Sequence, residues 1–261
     1  MFVQTRLLSL ALLVAMCALI AIRIKLAMKG NLPHIRRIPA LEAIPEAVGR
    51  ATELGKPVVY VPGIGALDTD VAPQTMAGLE ILGHTAKVTA DYKVKLVVPV
   101  RDAVVYPIAE EVVKQSYLKA GTPDAFTTDT VRFLSTEQFA FAAGTMGIIQ
   151  RDKAAANIMI GAFFGESLLL LESSNQAGSI VIGGTARMFQ LPFFAMVCDY
   201  VLLGEEMFVG SAYLAKDPVG LGSTVAQDWI KFAVVGTLIL GAVLRTMGNP
   251  VLFDFVGRFG R

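Results

Sequence analysis

The sequence predicts an α/β fold. It reads as a Rossmann-like three-layer sandwich with a mostly parallel sheet of about six strands, joined to an N-terminal transmembrane helix and a C-terminal membrane helix. Three observations predict it. Short β-branched runs alternate with helix-length patterns along the middle of the chain. Those runs are apolar throughout rather than alternating, as strands buried on both faces of a parallel sheet must be. Both ends carry long apolar stretches: Leu7 to Ile22 contains Ser9 as its one polar residue, and Phe232 to Leu244 is almost wholly aliphatic.

Composition agrees. Of 261 residues, 54% are hydrophobic and 17% charged, and mean hydropathy is +0.58. Ordinary soluble domains are about 25% charged. One domain plus one or two membrane segments fits the difference. The formal net charge of +1 leaves no electrostatic footprint for nucleic acid. Cys17 and Cys198 both sit in apolar runs and neither has a CxxC partner, which argues against a disulfide scaffold and mildly for a reducing compartment.

The first element is the anchor. Leu7 to Ala27, at 1.5 Å rise per residue, covers about 30 Å, the thickness of a hydrocarbon core. Arg23 and Lys25 can snorkel to the interface. A cleaved signal peptide is the rival, but no small-x-small site follows and the charges lie on the far side. Arg6 alone precedes the run, whereas Arg23, Lys25, Lys29, Arg36 and Arg37 follow it. The positive-inside rule then places the protein in the cell membrane with its main domain facing the cytoplasm.

Pro45 to Leu54 reads as a helix closed by Gly55. Pro57 to Val61 is a strand stopped by Pro62-Gly63, and Gln74 to Asp91 a helix. Lys95 to Val100 is a strand, Val104 to Lys119 a helix, Val131 to Leu134 a strand and Glu137 to Lys153 a helix. Ala154 to Leu171 is long enough to span a bilayer, but it contains Asn157, Gly165, Glu166 and Ser167. A carboxylate at bilayer depth costs about 3 kcal/mol on insertion scales. A buried strand, Asn157 to Phe164, and a helix, Glu166 to Gln176, describe the stretch better. Ser179 to Gly183 is the fifth strand, Arg187 to Cys198 a helix, Asp199 to Leu203 the sixth strand and Glu205 to Ala215 a helix. Trp229 to Leu244 is the second membrane candidate, either spanning or interfacial; Arg245, Arg258 and Arg261 follow it. The expected organisation is an anchor over 1–30, a cytoplasmic α/β domain over 31–225, and a membrane or interfacial helix with its tail over 226–261.

Ligands of open α/β sheets bind beyond the carboxyl ends of the strands, so the strand-to-helix turns are where chemistry is sought. Gly63-Ile64-Gly65 follows the first strand as a dinucleotide fingerprint would, but Asp68 stands where its third glycine belongs, and Asp70 adds a second charge that would repel phosphate. The ordinary reading is a glycine turn, with Asp70 or Thr75 capping the next helix. Neither a phosphate-loop GxxxxGK[ST] nor a GxSxG elbow occurs. His34 and His84 are the two histidines, and both lie away from the strand ends, so a Ser-His-acid triad is not supported.

What remains is a set of charged and polar residues at the turns. Asp68, Arg101, Asp102, Glu137, Glu166, Thr185 and Glu205 are the candidate ligand-binding residues. Within this set Glu166, Glu205 and Asp102 are the candidates for holding a divalent cation through oxygen. Glu166 stands out because GAFFG precedes it and SLLLL follows. The competing role for every acid in the set is to cap a helix and oppose its dipole. No cofactor is indicated.

The stretches RRIPALEAIPEAVGRATELGKPVVYVPGIGAL and QLPFFAMVCDYVLLGEEMFVGSAYL resemble an uncharacterised prokaryotic family of membrane-anchored α/β proteins, a domain of unknown function. The resemblance covers Arg36 to about Asp217. It implies no established activity and no site residues.

The sequence therefore suggests a non-enzymatic, membrane-anchored scaffold or assembly protein. From Arg187 to Ala215 strongly polar residues are few, and helices without a polar face are covered by something. Membrane lipids, copies of itself in a homo-oligomer and other membrane-complex subunits are the expected partners, and nucleic acid is not. The alternative is a membrane-tethered domain that binds a small ligand or divalent cation at the strand ends and could act as an enzyme.

Overall fold

A computed structural model describes residues 7–30, 37–215 and 217–248. Arg6, Arg36, Arg258 and Arg261, which enter the orientation and tail arguments, lie outside the described residues. The chain forms two compact units, Arg36–Ala215 and the two ends, Met1–Ile35 with Lys216–Arg261.

Arg36–Ala215 is the α/β unit. Its elements are α2 (Pro39–Leu54), β1 (Val58–Gly63), α3 (Ala72–Asp91), β2 (Leu96–Val100), α4 (Val105–Lys119), β3 (Val131–Phe133), α5 (Gln138–Asp152), β4 (Ala156–Ala162), α6 (Glu166–Gln176), β5 (Ile180–Thr185), α7 (Leu191–Val197), β6 (Tyr200–Leu203) and α8 (Glu206–Ala215). The six strands form one sheet in the order β3-β2-β1-β4-β5-β6, and every pairing is parallel. Val58 of β1 stands opposite Leu96 on one side and Ala156 on the other. Successive strand side chains point to opposite faces, so the sheet feeds two cores. Tyr60, Val98, Ile158, Ile160, Ile182 and Leu202 meet α2, α3, α4 and α8. Val59, Val61, Val97, Met159 and Val181 meet Phe141, Leu170 and Phe194 of α5, α6 and α7. Each fully buried side chain of this kind stabilises the fold by about 1.5–3 kcal/mol relative to exposure.

Two helix–strand seams are unusually tight. A Cβ on Gly78 of α3 would run into the Ile160 carbonyl of β4. The Tyr60 hydroxyl donates to the Gly78 carbonyl at 2.6 Å, fixing helix to sheet at that point. On β5, a Cβ on Gly183 would strike Cys198 Sγ and the Phe194 ring. The first and last helices of the unit also meet: a Cβ on Gly210 of α8 would sit 3.0 Å from a Leu41 methyl of α2 and 3.8 Å from one of Ile38.

Several boundaries differ from the sequence reading. The helix expected at Pro45 begins at Pro39, with Pro45 inside it. Pro39 sits in the first turn, where no N–H is needed, and seven buried residues from Ala40 to Ala51 outweigh the one hydrogen bond Pro45 removes. The first strand continues through Pro62 to Gly63, where the register slips against β4. The helix expected from Arg187 is the shorter α7, and the fifth strand runs on to Thr185. Neither Asp70 nor Thr75 caps α3: its N-cap is Val71, and Thr75 Oγ1 donates instead to the Gly65 carbonyl at 3.0 Å.

The other unit is a pair of helices, α1 (Leu7–Met28) and α9 (Pro218–Thr246). Asp217 caps α9, accepting from the N–H groups of Val219 at 3.0 Å and Gly220 at 2.7 Å. The helix thus starts eleven residues before Trp229, and the boundary expected at 225/226 falls inside it. A Cβ on Gly222 would meet Ile24 Cα at 2.9 Å, and the Arg23 guanidinium lies 5.1 Å from the centre of the Trp229 ring. By length and composition both helices are able to cross a membrane; the N-terminal one fits a signal sequence equally.

Candidate functional site

The parallel order places the topological switch between β1 and β4, where connections leave in opposite directions and a crevice is expected. Its walls are the loop after β1, Ile64 to Val71, and the loop after β4, Phe163 to Gly165. At the base they touch. Ile64 N–H donates to the Ala162 carbonyl at 2.8 Å. Gly63, at φ +83°, comes so close to β4 that a Cβ would lie 2.6 Å from Ala162 backbone atoms. Glycine is the residue that reaches this conformation and this approach without a clash.

Glu166 opens α6 and is the one fully buried carboxylate among the described residues. Oε1 accepts from Phe164 N–H at 2.9 Å and Oε2 from the Gln138 side-chain amide at 2.5 Å. Ser167 Oγ beside it lies 2.9 Å from the Phe164 carbonyl and 2.7 Å from Gln190 Oε1. Glu166 therefore ties the β4 turn to α5, and Ser167 ties it to the segment before α7.

The other candidates are also used by the scaffold. Asp102 Oδ1 accepts from Val104 and Val105 N–H at 2.8 and 2.9 Å, holding the start of α4. Arg101 donates from Nε to the Thr136 carbonyl at 2.7 Å and from Nη1 to the Ile64 carbonyl at 3.0 Å, bracing the loops after β1, β2 and β3 together. Thr185 Oγ1 accepts from Arg187 N–H at 3.3 Å. Glu137 is the exposed N-cap of α5, and its own N–H donates to Ser135 Oγ at 3.1 Å. Glu205 and Asp68 are exposed, at the turn after β6 and in the loop after β1. Among the described residues, no three His, Cys, Asp or Glu side chains gather where they could hold a metal ion.

Arg187 is a second cation at this edge. Its guanidinium stacks 4.3 Å from the centre of the Phe164 ring, and Nη1 lies 3.6 Å from Asp70 Oδ2. Sequence reasoning missed Gln138, Gln190, Phe164 and Gln74, whose Oε1 accepts from Ala186 N–H at 3.3 Å. Three of these are amides recruited across the fold, and no spacing rule marks them. Burial, with the neighbouring Asp199 charge second, pushes the Cys198 thiol up to about 12, which disfavours the thiolate that nucleophilic chemistry needs.

Just beyond this edge the surface changes character. Met188 and Phe189, in the turn after β5, are 80% and 89% exposed, and Met196 on α7 is 83% exposed. Phe193 is also exposed, and no charged residue occurs from Met188 to Cys198.

The fold defines a class: a Rossmann-like parallel α/β protein carrying a long apolar helix at each end. Within that class the chain belongs to the DUF6754 family, a domain of unknown function, whose model matches residues 1–256. The match reaches well beyond the Arg36-to-Asp217 resemblance and takes in both apolar helices. No curated protein and no solved structure matches the chain.

Proposed function

We propose that this protein is a membrane-anchored assembly domain that forms a homo-oligomer and carries no catalysis of its own, with residues 37–215 on the cytoplasmic side of the cell membrane. The observation that carries this reading is the charge-free stretch Met188 to Met196, in which Met188, Phe189, Phe193 and Met196 are exposed. Exposed apolar patches beyond a few hundred Å² are unusual on monomers and mark interfaces. Interface cores are enriched in aromatic residues and methionine and depleted in charge. The strand-end geometry supports the same reading, because Arg101, Asp102, Glu166 and Thr185 each have a structural task. The basic residues after the first apolar helix support the orientation. Full-length protein extracted in mild detergent should run as a particle of more than one chain by light scattering. A particle with the mass of one chain would overturn the proposal.

One observation favours a second reading, a tethered small-ligand domain. Arg101 is held by two carbonyls rather than a carboxylate, so its charge stays available to an anion at the ends of β1 and β2. Thermal-shift measurement of the full chain with nucleotides and inorganic phosphate tests it: a shift abolished by Arg101→Gln supports an anion site, and no shift removes it.

A further inference from the structure

We propose that α1 carries a binding site for anionic phospholipid, built by Lys25 and Lys29 beside Ile22 and Leu26, where the helix leaves the bilayer. The inference rests on the membrane-anchored reading and names the lipid that the anchor selects. Lys25 and Lys29 are four residues apart, so their side chains share one flank. With Ile22, Leu26 and Met28 they line a recess of about 370 Å³. The three apolar members are exposed there. Ile22 lies about one turn nearer the apolar run than Lys25. The recess therefore passes from apolar to cationic along the helix, and a phospholipid has the matching order, acyl chains and then a phosphate.

The charge at this end of α1 is uncompensated. From residue 1 to residue 41 the sequence holds no acid. Among the described residues no carboxylate pairs with Arg23, Lys25 or Lys29. On α9, by contrast, Lys231 has Asp228 at 3.7 Å. Arg23 has a separate task, its stack on Trp229, which leaves Lys25 and Lys29 as the pair that meets a ligand. Basic clusters at the cytoplasmic end of a span attract anionic lipid in this way.

The surface that continues the recess argues for lipid as its occupant. Leu10 to Ala18 are exposed without a break, and successive residues at about 100° each carry that apolar surface round the whole helix. Phe232 to Leu240 of α9 are exposed in the same unbroken way. A protein partner covers one stripe of a helix, whereas hydrocarbon covers all of it. Arg23 and Trp229 stand where the apolar zone ends, as an interfacial cation and aromatic do. A soluble phosphate would meet the two lysines but leave Ile22 and Leu26 in water. Lysines near the end of a helix also oppose its dipole. That role is indifferent to the lipid headgroup, which gives the test its contrast.

The test uses the full chain in mild detergent, with Trp229, its one tryptophan, as energy donor. Dansyl-labelled phosphatidylglycerol should take up energy from Trp229. Unlabelled phosphatidylglycerol should displace it, whereas phosphatidylcholine and glycerol 3-phosphate should not. The pair Lys25→Gln and Lys29→Gln should weaken phosphatidylglycerol about 30-fold, since one lysine at an anionic surface is worth about fivefold. A charge-matched pair at exposed positions of the α/β unit, Lys93→Gln and Lys95→Gln, should leave it unchanged. Equal competition by phosphatidylcholine, or an equal loss in both pairs, overturns the site and leaves the anchor in place. Displacement by glycerol 3-phosphate overturns the choice of a lipid. A chain that stays in solution without detergent, or a mature chain that begins beyond Lys29, overturns anchor and site together.

Discussion

Glu166 is the residue whose environment most constrains its role. Both carboxylate oxygens accept hydrogen bonds inside the fold, one from backbone and one from Gln138. Replacing one oxygen by NH₂ sets donor against donor, and a buried group left in that state costs about 1–3 kcal/mol. Glu166→Gln should therefore lower the thermal midpoint by an amount that Mg²⁺ or Mn²⁺ does not change. A divalent-dependent midpoint in the wild type, lost in the variant, would instead make the carboxylate a ligand. That Glu166 was special is legible in its apolar flanks; its partner was not, because a glutamine 28 residues away leaves no local signal. His84 gives a second residue-level expectation. Burial first, then the Lys87 charge, hold it below the ordinary imidazole value of 6.5. Glu80 and Lys87 of α3 and Glu111 and Lys119 of α4 line the same groove. The unfolded chain binds this proton more readily than the folded one, so stability rises with pH across the window between the two values. Thermal midpoints should fall as pH drops below 6.5 and level off below the lowered value, more steeply for wild type than for His84→Gln.

Among the elements, α3 is held most closely. Gly78 lets it lie directly on the β4 backbone, and the Tyr60 hydroxyl closes the contact. Gly78→Ala has no space for its methyl and should cost about 1–3 kcal/mol, read as a lower denaturation midpoint. Gly121→Ala makes a useful contrast: nothing stands within 4 Å, but its φ of +74° penalises the backbone alone. In the helical pair, Gly222 permits α9 to approach α1 at Ile24. Gly222→Ile has no room against Ile24 and Ala27 and should part the two helices, read as a changed Trp229 fluorescence maximum in detergent. Strand positions were legible because buried parallel strands are bare apolar runs. Ends were less so. Pro45 looks like a helix start, yet the buried stripe from Ala40 onward carries the helix through it. In α9 the apolar pattern begins well after the helix does, since Asp217 and Pro218 set its start by capping rather than by hydropathy.

At the scale of the molecule, the parallel α/β class followed from alternation alone, whereas the strand order did not: nothing local in Ala156–Ala162 says that β4 returns to the centre beside β1. The candidate site was legible as a place, the strand ends, and not as an arrangement, because capping acids and ligand acids share one vocabulary. Within Arg187 to Ala215 the surface was half legible. Phe193 and Tyr213 are exposed, but Met207 is fully buried in the core, so a charge there should unfold the unit rather than split an oligomer.

The contact of Gly210 with Leu41 and Ile38 has one more consequence. It brings the opening and closing helices of the α/β unit side by side, so the order in which the chain visits this unit is a matter of connection rather than of architecture. A circular permutant follows. Joining Ala215 to Arg37 through a short glycine-serine bridge and opening the chain at Thr128, in the exposed loop before β3, should give a cooperatively melting protein with the same sheet. Its far-ultraviolet circular dichroism and amide protection should match those of the unpermuted unit. Loss of protection in β5 and β6 would mean that the fold needs the chain to be open between α8 and α2.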